Sequence, residues 1–116
     1  MNNVILVGRI TKDLEARYTT QGTAVTSFNV AVDRVGSEET DFPKITVFGK
    51  QAENCVTHLG KGCRVCVQGQ IQTSQYKDKE GKTVYTTDVI AQRVEFLDYK
   101  EAPKEEPLAL NEEIPF

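Results

Sequence analysis

Three observations in this 116-residue sequence predict an all-β fold, a five-stranded Greek-key barrel with one helix. Strand-length segments with apolar side chains at every second position recur through residues 1–97. Glycine-marked turns separate most of them. Between the third and fourth segments the apolar period lengthens to that of a helix.

The first segment, "NVILVGRI", is an apolar run of strand length that ends near Gly8. The turn-like "TTQGT" leads to a second strand, "TAVTSFNVAVDR", in which Phe28, Val30 and Val32 alternate with Ser27, Asn29, Ala31 and Asp33. "DFPKITVF" is the third, and Pro43, which has no N–H to donate, puts its beginning at an edge or bulge. In "GKQAENCVTHLGKG" the residues Ala52, Cys55, Val56 and Leu59 recur at i, i+3, i+4 and i+7. That spacing predicts a helix of about three turns, stopped by Gly60 and Gly62. "CRVCVQGQIQTSQY" then puts Cys63, Val65, Val67, Gly69 and Ile71 on one face and Arg64, Cys66, Gln68, Gln70 and Gln72 on the other. The charged turn "KDKEGK" joins it to "TVYTTDVIAQRVEFL" in a long hairpin, whose alternation breaks near Val89 and Ile90 as at a bulge or a doubly buried stretch. Three strands, a helix and two strands is the element order of the OB-fold. A five-stranded α+β sandwich has the same order.

Residues 1–97 suit one domain with a single core. Residues 98–116, "DYKEAPKEEPLALNEEIPF", carry three prolines, six acidic residues and no periodicity, and are expected to form a disordered acidic tail. The overall charge of −3 belongs to that tail: residues 1–97 hold 12 Lys and Arg against 11 Asp and Glu. A near-neutral body neither demands nor forbids a polyanionic ligand, so a local patch must provide any attraction. No apolar run reaches bilayer length, and the opening "MNNVILVGRI" lacks the basic start of a secretory signal. With three cysteines in no framework spacing, the expectation is a cytoplasmic protein with no membrane partner.

The third strand raises the main functional question. Ile45 and Val47 share one face, while Phe42, Lys44, Thr46 and Phe48 share the other. Two aromatics among polar neighbours suit either a buried interface or a platform on which bases of a single strand stack, with Lys44 and Lys50 neutralising phosphates. Tyr76, beside Lys77, Lys79 and Lys82 at the hairpin tip, is a third candidate ring. Arg34, His58, Lys61 and Arg64 complete the candidate DNA-binding set. Cys55, His58, Cys63 and Cys66 mimic a zinc knuckle, but Cys63 and Cys66 point to opposite faces of a regular strand and cannot converge on one ion. One histidine, no G-x-S-x-G and no phosphate-cradling Gly-Lys-Ser loop leave no catalytic set, so neither an enzyme nor a cofactor or metal is expected.

Taken together, "NNVILVGRITKDLEARYTTQGTAVTSFNVAV", "DFPKITVFGKQAENCVTHLGKG", "VQGQIQTSQY", "VYTTDVIA" and "EEIPF" resemble the bacterial single-stranded DNA-binding protein family. The resemblance implies an OB-fold that assembles as a homotetramer and wraps single-stranded DNA in the cytoplasm, associated with the nucleoid. It also implies that Phe42, Phe48 and Tyr76 match family stacking aromatics. Replication, recombination and repair proteins would dock on Glu112, Glu113, Ile114, Pro115 and Phe116. Three features depart from the family pattern: "DRVGSE" lacks the tryptophan often found after the second strand, "QTSQY" lacks basic residues, and the linker is short. An OB adaptor that binds only proteins, or a zinc-dependent protein, are the competing readings from other classes.

Overall fold

The computed structural model describes residues 1–100. In chain order they form β1 (Val4–Ile10), β2 (Arg17–Tyr18), β3 (Ala24–Asp33), β4 (Thr40–Asp41), β5 (Lys44–Phe48), α1 (Lys50–His58), β6 (Arg64–Lys77) and β7 (Thr83–Phe96). Alternation drives burial as expected. Ala24, Thr26, Phe28 and Val30 of β3, Ile45 and Val47 of β5, and Val65 and Val67 of β6 all point into one core.

The five long strands close on themselves. β1 pairs with β6, β6 with β7, β7 with β5 and β5 with β3, and β3 returns to β1 at Arg9 and Ile10. Only the β5–β7 contact is parallel. This closed circuit is the OB-fold, and it excludes an open sandwich. Helix α1 plugs one end, burying Ala52 and Cys55 along the predicted stripe.

In four places the local structure differs from the sequence expectation. The helix ends at His58, because Leu59 is already extended (φ −117°, ψ 148°) while its N–H still reaches the Cys55 carbonyl at 2.8 Å. The glycines follow the end rather than cause it, and Gly62 (φ 91°) turns the chain toward β6. The third strand is split: Phe42 and Pro43 leave the ladder, yet β4 and β5 keep one register along β3, with Asp41 opposite Val32 and Lys44 opposite Asn29. The prolyl nitrogen cannot donate, so the gap falls there.

The bulge in β7 lies at Gln92, two residues beyond Ile90. Gln68 faces Arg93 and Gly69 faces Ala91, so Gln92 is the extra residue. One inserted residue exchanges the two faces of the strand: Val89 and Ala91 point inward before it, Val94 and Phe96 after it. Gly69 sits where the strands crowd, and a Cβ there would overlap the Ile90 carbonyl. The backbone groups the bulge frees are taken by α1, since the Gln51 Oε1 accepts from the Val94 N–H at 2.8 Å and its Nε2 donates to the Gln92 carbonyl at 3.4 Å.

Beyond Ile71 the β6–β7 hairpin leaves the barrel as an arm with Gln72–Lys77 exposed. Asn2 marks the departure point, its side chain exchanging two hydrogen bonds with the Ile71 backbone (2.8 and 2.9 Å). Asp98, Tyr99 and Lys100, which the sequence assigns to the tail, pack on the barrel. Asp98 pairs with Arg64, Tyr99 meets His58 and Phe96 edge to face, and Lys100 donates to the carbonyls of His58 and Val56 at the helix end. The rest of the expected disordered tail, with the expected docking residues Glu112, Glu113, Ile114, Pro115 and Phe116, lies outside the described residues.

Candidate nucleic-acid interface

Paired residues in adjacent strands share a face, so the register defines the outer surface. Val25 faces Phe48, Ser27 faces Thr46 and Asn29 faces Lys44. Beyond β5, Thr46 faces Ile90 and Lys44 faces Asp88. Phe42 and Phe48 are 57% and 47% exposed on this surface. Both rings are therefore open, and neither belongs to the core of the single chain.

Fixed backbone holds each ring. The Asn29 Nδ2 donates to the Phe42 carbonyl at 2.9 Å, and the Val30 N–H to the Pro43 carbonyl at 3.2 Å, so the split between β4 and β5 is tied to β3. Phe48 is followed by Gly49, whose φ of 77° lies in the left-handed region. The Gly49 N–H donates to Ala24 at 2.7 Å, and its carbonyl accepts from the amides of Ala52 and Glu53, starting the helix. One turn thus sets Phe48 on the strand and Lys50 on the first residue of α1.

Beside the rings lies a groove of about 390 Å³, floored by Val25 and Ser27 and lined by Lys12, Arg17, Lys44, Asp13 and Glu15. Arg17 faces Val25 across β2 and β3, which puts its guanidinium on the Phe48 side. The Asp13 carboxylate is engaged, accepting from the Lys61 amide at 2.9 Å. Lys12 and Arg17 are residues that sequence reasoning missed. Nothing in "TKDLEARY" marks them, because a two-residue strand becomes visible only once it pairs.

The other sequence candidates separate into groups. Tyr76, 56% exposed, alternates with Gln70, Gln72 and Ser74, and Gln70 faces Ile90 as Thr46 does, so Tyr76 extends the face of Phe48 onto the arm. Lys77 points to the opposite face of the arm, opposite Thr83. Lys79 and Lys82 belong to the tip, where the Asp78 carboxylate accepts from the Glu80 and Lys82 amides at 2.9 Å. Lys50 and Lys61 are exposed at the two ends of α1.

Two of the candidate arginines have carboxylate partners. Arg34 binds Asp41 at 2.9 Å and Glu39 at 2.6 Å, which closes the loop between β3 and β4. Its hydrogen bonds hold the Asp41 carboxyl below the usual range and raise its own pKa. Arg64 binds Asp98 at 3.0 Å and depresses that carboxyl in the same way. His58 faces Phe96 and Tyr99. Cys55 and Cys63 are buried and Cys66 is half-buried, with burial pushing the Cys55 thiol up to about 11. Among the described residues no group of three or more His, Cys, Asp or Glu side chains is placed to hold a metal ion, and no helix is long and apolar enough to cross a membrane.

The family model described as "Single-strand binding protein family" matches residues 1–97, the whole barrel and arm. This chain belongs to the single-strand binding protein family. Among curated family members, the single-stranded DNA-binding protein of Bacillus cereus is 42% identical over 118 residues, covering 97% of this chain and 69% of that protein. Single-stranded DNA-binding protein 2 of Listeria innocua is 47% identical over 103 residues, covering 84% and 65%. Single-stranded DNA-binding protein 1 of Staphylococcus aureus is 48% identical over 105 residues, covering 86% and 67%. The chain therefore spans about two thirds of the length of these family members.

Proposed function

We propose that this chain binds single-stranded DNA without regard to sequence and protects it in replication, recombination and repair. The observation that carries the reading is the pair of open rings, Phe42 and Phe48, held by fixed backbone beside Lys12, Arg17 and Lys44. Every base has a π-face, so rings bind a strand whatever its sequence, while the cations neutralise its phosphates. The role is binding rather than catalysis.

Assembly and recruitment belong to the same proposal. Along residues 4–8, β1 has β6 on one side and no strand on the other among the described residues, and Ile5 and Val7 are 63% and 54% exposed. An open edge with apolar side chains suits pairing with a second copy, toward a homotetramer. Glu112, Glu113, Ile114, Pro115 and Phe116 would dock on partner proteins of replication and repair through an apolar pocket with a basic rim. That part rests on the chemistry of the residues and on the general role of the family. The place of action is the bacterial cytoplasm, at the nucleoid.

The test is a titration of a dT oligomer and of a duplex of equal length by fluorescence anisotropy. The single strand is expected to bind far more tightly, because pairing hides the faces that stack. Equal affinities would reject the reading.

A further inference from the structure

The arm has two faces, and the proposed platform uses only one. The other face continues the barrel interior outward: Ile71 faces Val89, then Thr73 faces Thr87, Gln75 faces Tyr85 and Lys77 faces Thr83. At the barrel rim this side passes from core to open surface, with Val89 5% exposed and its partner Ile71 43%. Two pairs further out it is open, and Tyr85 is 74% exposed, more than Phe42, Phe48 or Tyr76. The core has ended, yet a large ring remains.

We propose that this face is a second nucleotide subsite, in which Tyr85 stacks a base and Lys77 meets the adjoining phosphate. The inference rests on the single-strand reading and adds a path to it, in which the strand passes Tyr76 on one side of the arm and returns over Tyr85 on the other. The charge on the face favours this occupant. Among the paired residues of the arm beyond Ile71 and Val89, Lys77 is the only charged side chain on this side, since Asp88 points to the Tyr76 face. The tip carboxylate of Asp78 is held by the Glu80 and Lys82 amides. Threonine and glutamine fill the remaining positions, so the surface is polar and cationic around one ring, unlike the apolar surface of Ile5 and Val7 on β1. Lys77 and Tyr85 lie one step of alternation apart, about 7 Å along the strands. That separation is within reach of a base and its own phosphate.

The test uses the full chain with a dT strand of about 16 nucleotides carrying 5-iodouracil. Irradiation of the wild-type complex, followed by peptide mapping, should give an adduct at Tyr85 as well as at the Phe42 and Phe48 rings. Tyr85→Ala should weaken the 16-mer about 5- to 100-fold, and Tyr85→Phe, which keeps the ring, should restore most of the loss. Lys77→Gln should reduce the salt dependence of binding. The adduct is read on the wild-type chain, so it does not depend on how a variant folds. Adducts at Phe48 but none at Tyr85, with unchanged affinity of Tyr85→Ala, would overturn the subsite and leave the platform standing. Dissociation of an assembly by Tyr85→Ala without an adduct would overturn it in favour of contact with a second copy. A wild-type chain that binds no single strand would overturn both readings.

Discussion

At the scale of single residues, charge separates groups that face the groove from groups already neutralised. Arg17 and Lys44 line the groove beside the rings, whereas Arg34 spends its guanidinium on Asp41 and Glu39, and Arg64 on Asp98. Each phosphate neutralised on a single strand contributes a slope of about −0.7 to a plot of log affinity against log salt. Arg17→Ala is therefore expected to flatten that slope by about 0.7, measured by anisotropy at several salt concentrations. An unchanged slope would remove Arg17 from the path. The core has its own residue-scale test. The Thr26 hydroxyl is buried with no hydrogen-bond partner among the described residues, which costs about 1–3 kcal/mol relative to a satisfied group. Thr26→Val fills the same space without that cost and should raise stability by about 1 kcal/mol in urea denaturation. None of these pairings was legible in the sequence. Arg34 and Arg64 looked like free cations because their partners, Asp41 and Asp98, meet them only through β4 and the packed chain after β7.

At the scale of elements, strand order and burial alternation were legible because a period of two survives any tertiary context that buries one face. What escaped the sequence was parity. The break near Val89 and Ile90 is the visible consequence of an extra residue at Gln92, and the register change rather than the apolar pattern locates it. Parity also explains why Tyr76 and Lys77, adjacent in the chain, serve different faces of the arm. The bulge and the helix depend on each other through Gln51. Gln51→Leu keeps the helix but leaves the Val94 N–H without its partner, and should cost about 1–3 kcal/mol by chemical denaturation. A variant as stable as wild type would mean that water replaces the side chain.

At the scale of the whole molecule, a closed barrel with a split third strand, an open β1 edge and a projecting arm presents three surfaces with different chemistry. The edge predicts self-association. Replacing Ile5 and Val7 together with lysine should lower the assembly state in sedimentation velocity without changing the circular dichroism, because both side chains point away from the core. Wild type already monomeric at micromolar concentration would contradict the assembly reading. The platform carries the central claim, and its most direct test is the affinity of Phe42→Ala and Phe48→Ala for oligo-dT at fixed salt. Because both rings are about half exposed, each truncation should weaken binding by about 1–3 kcal/mol while leaving the circular dichroism native. Native variants that bind oligo-dT as tightly as wild type would contradict the account.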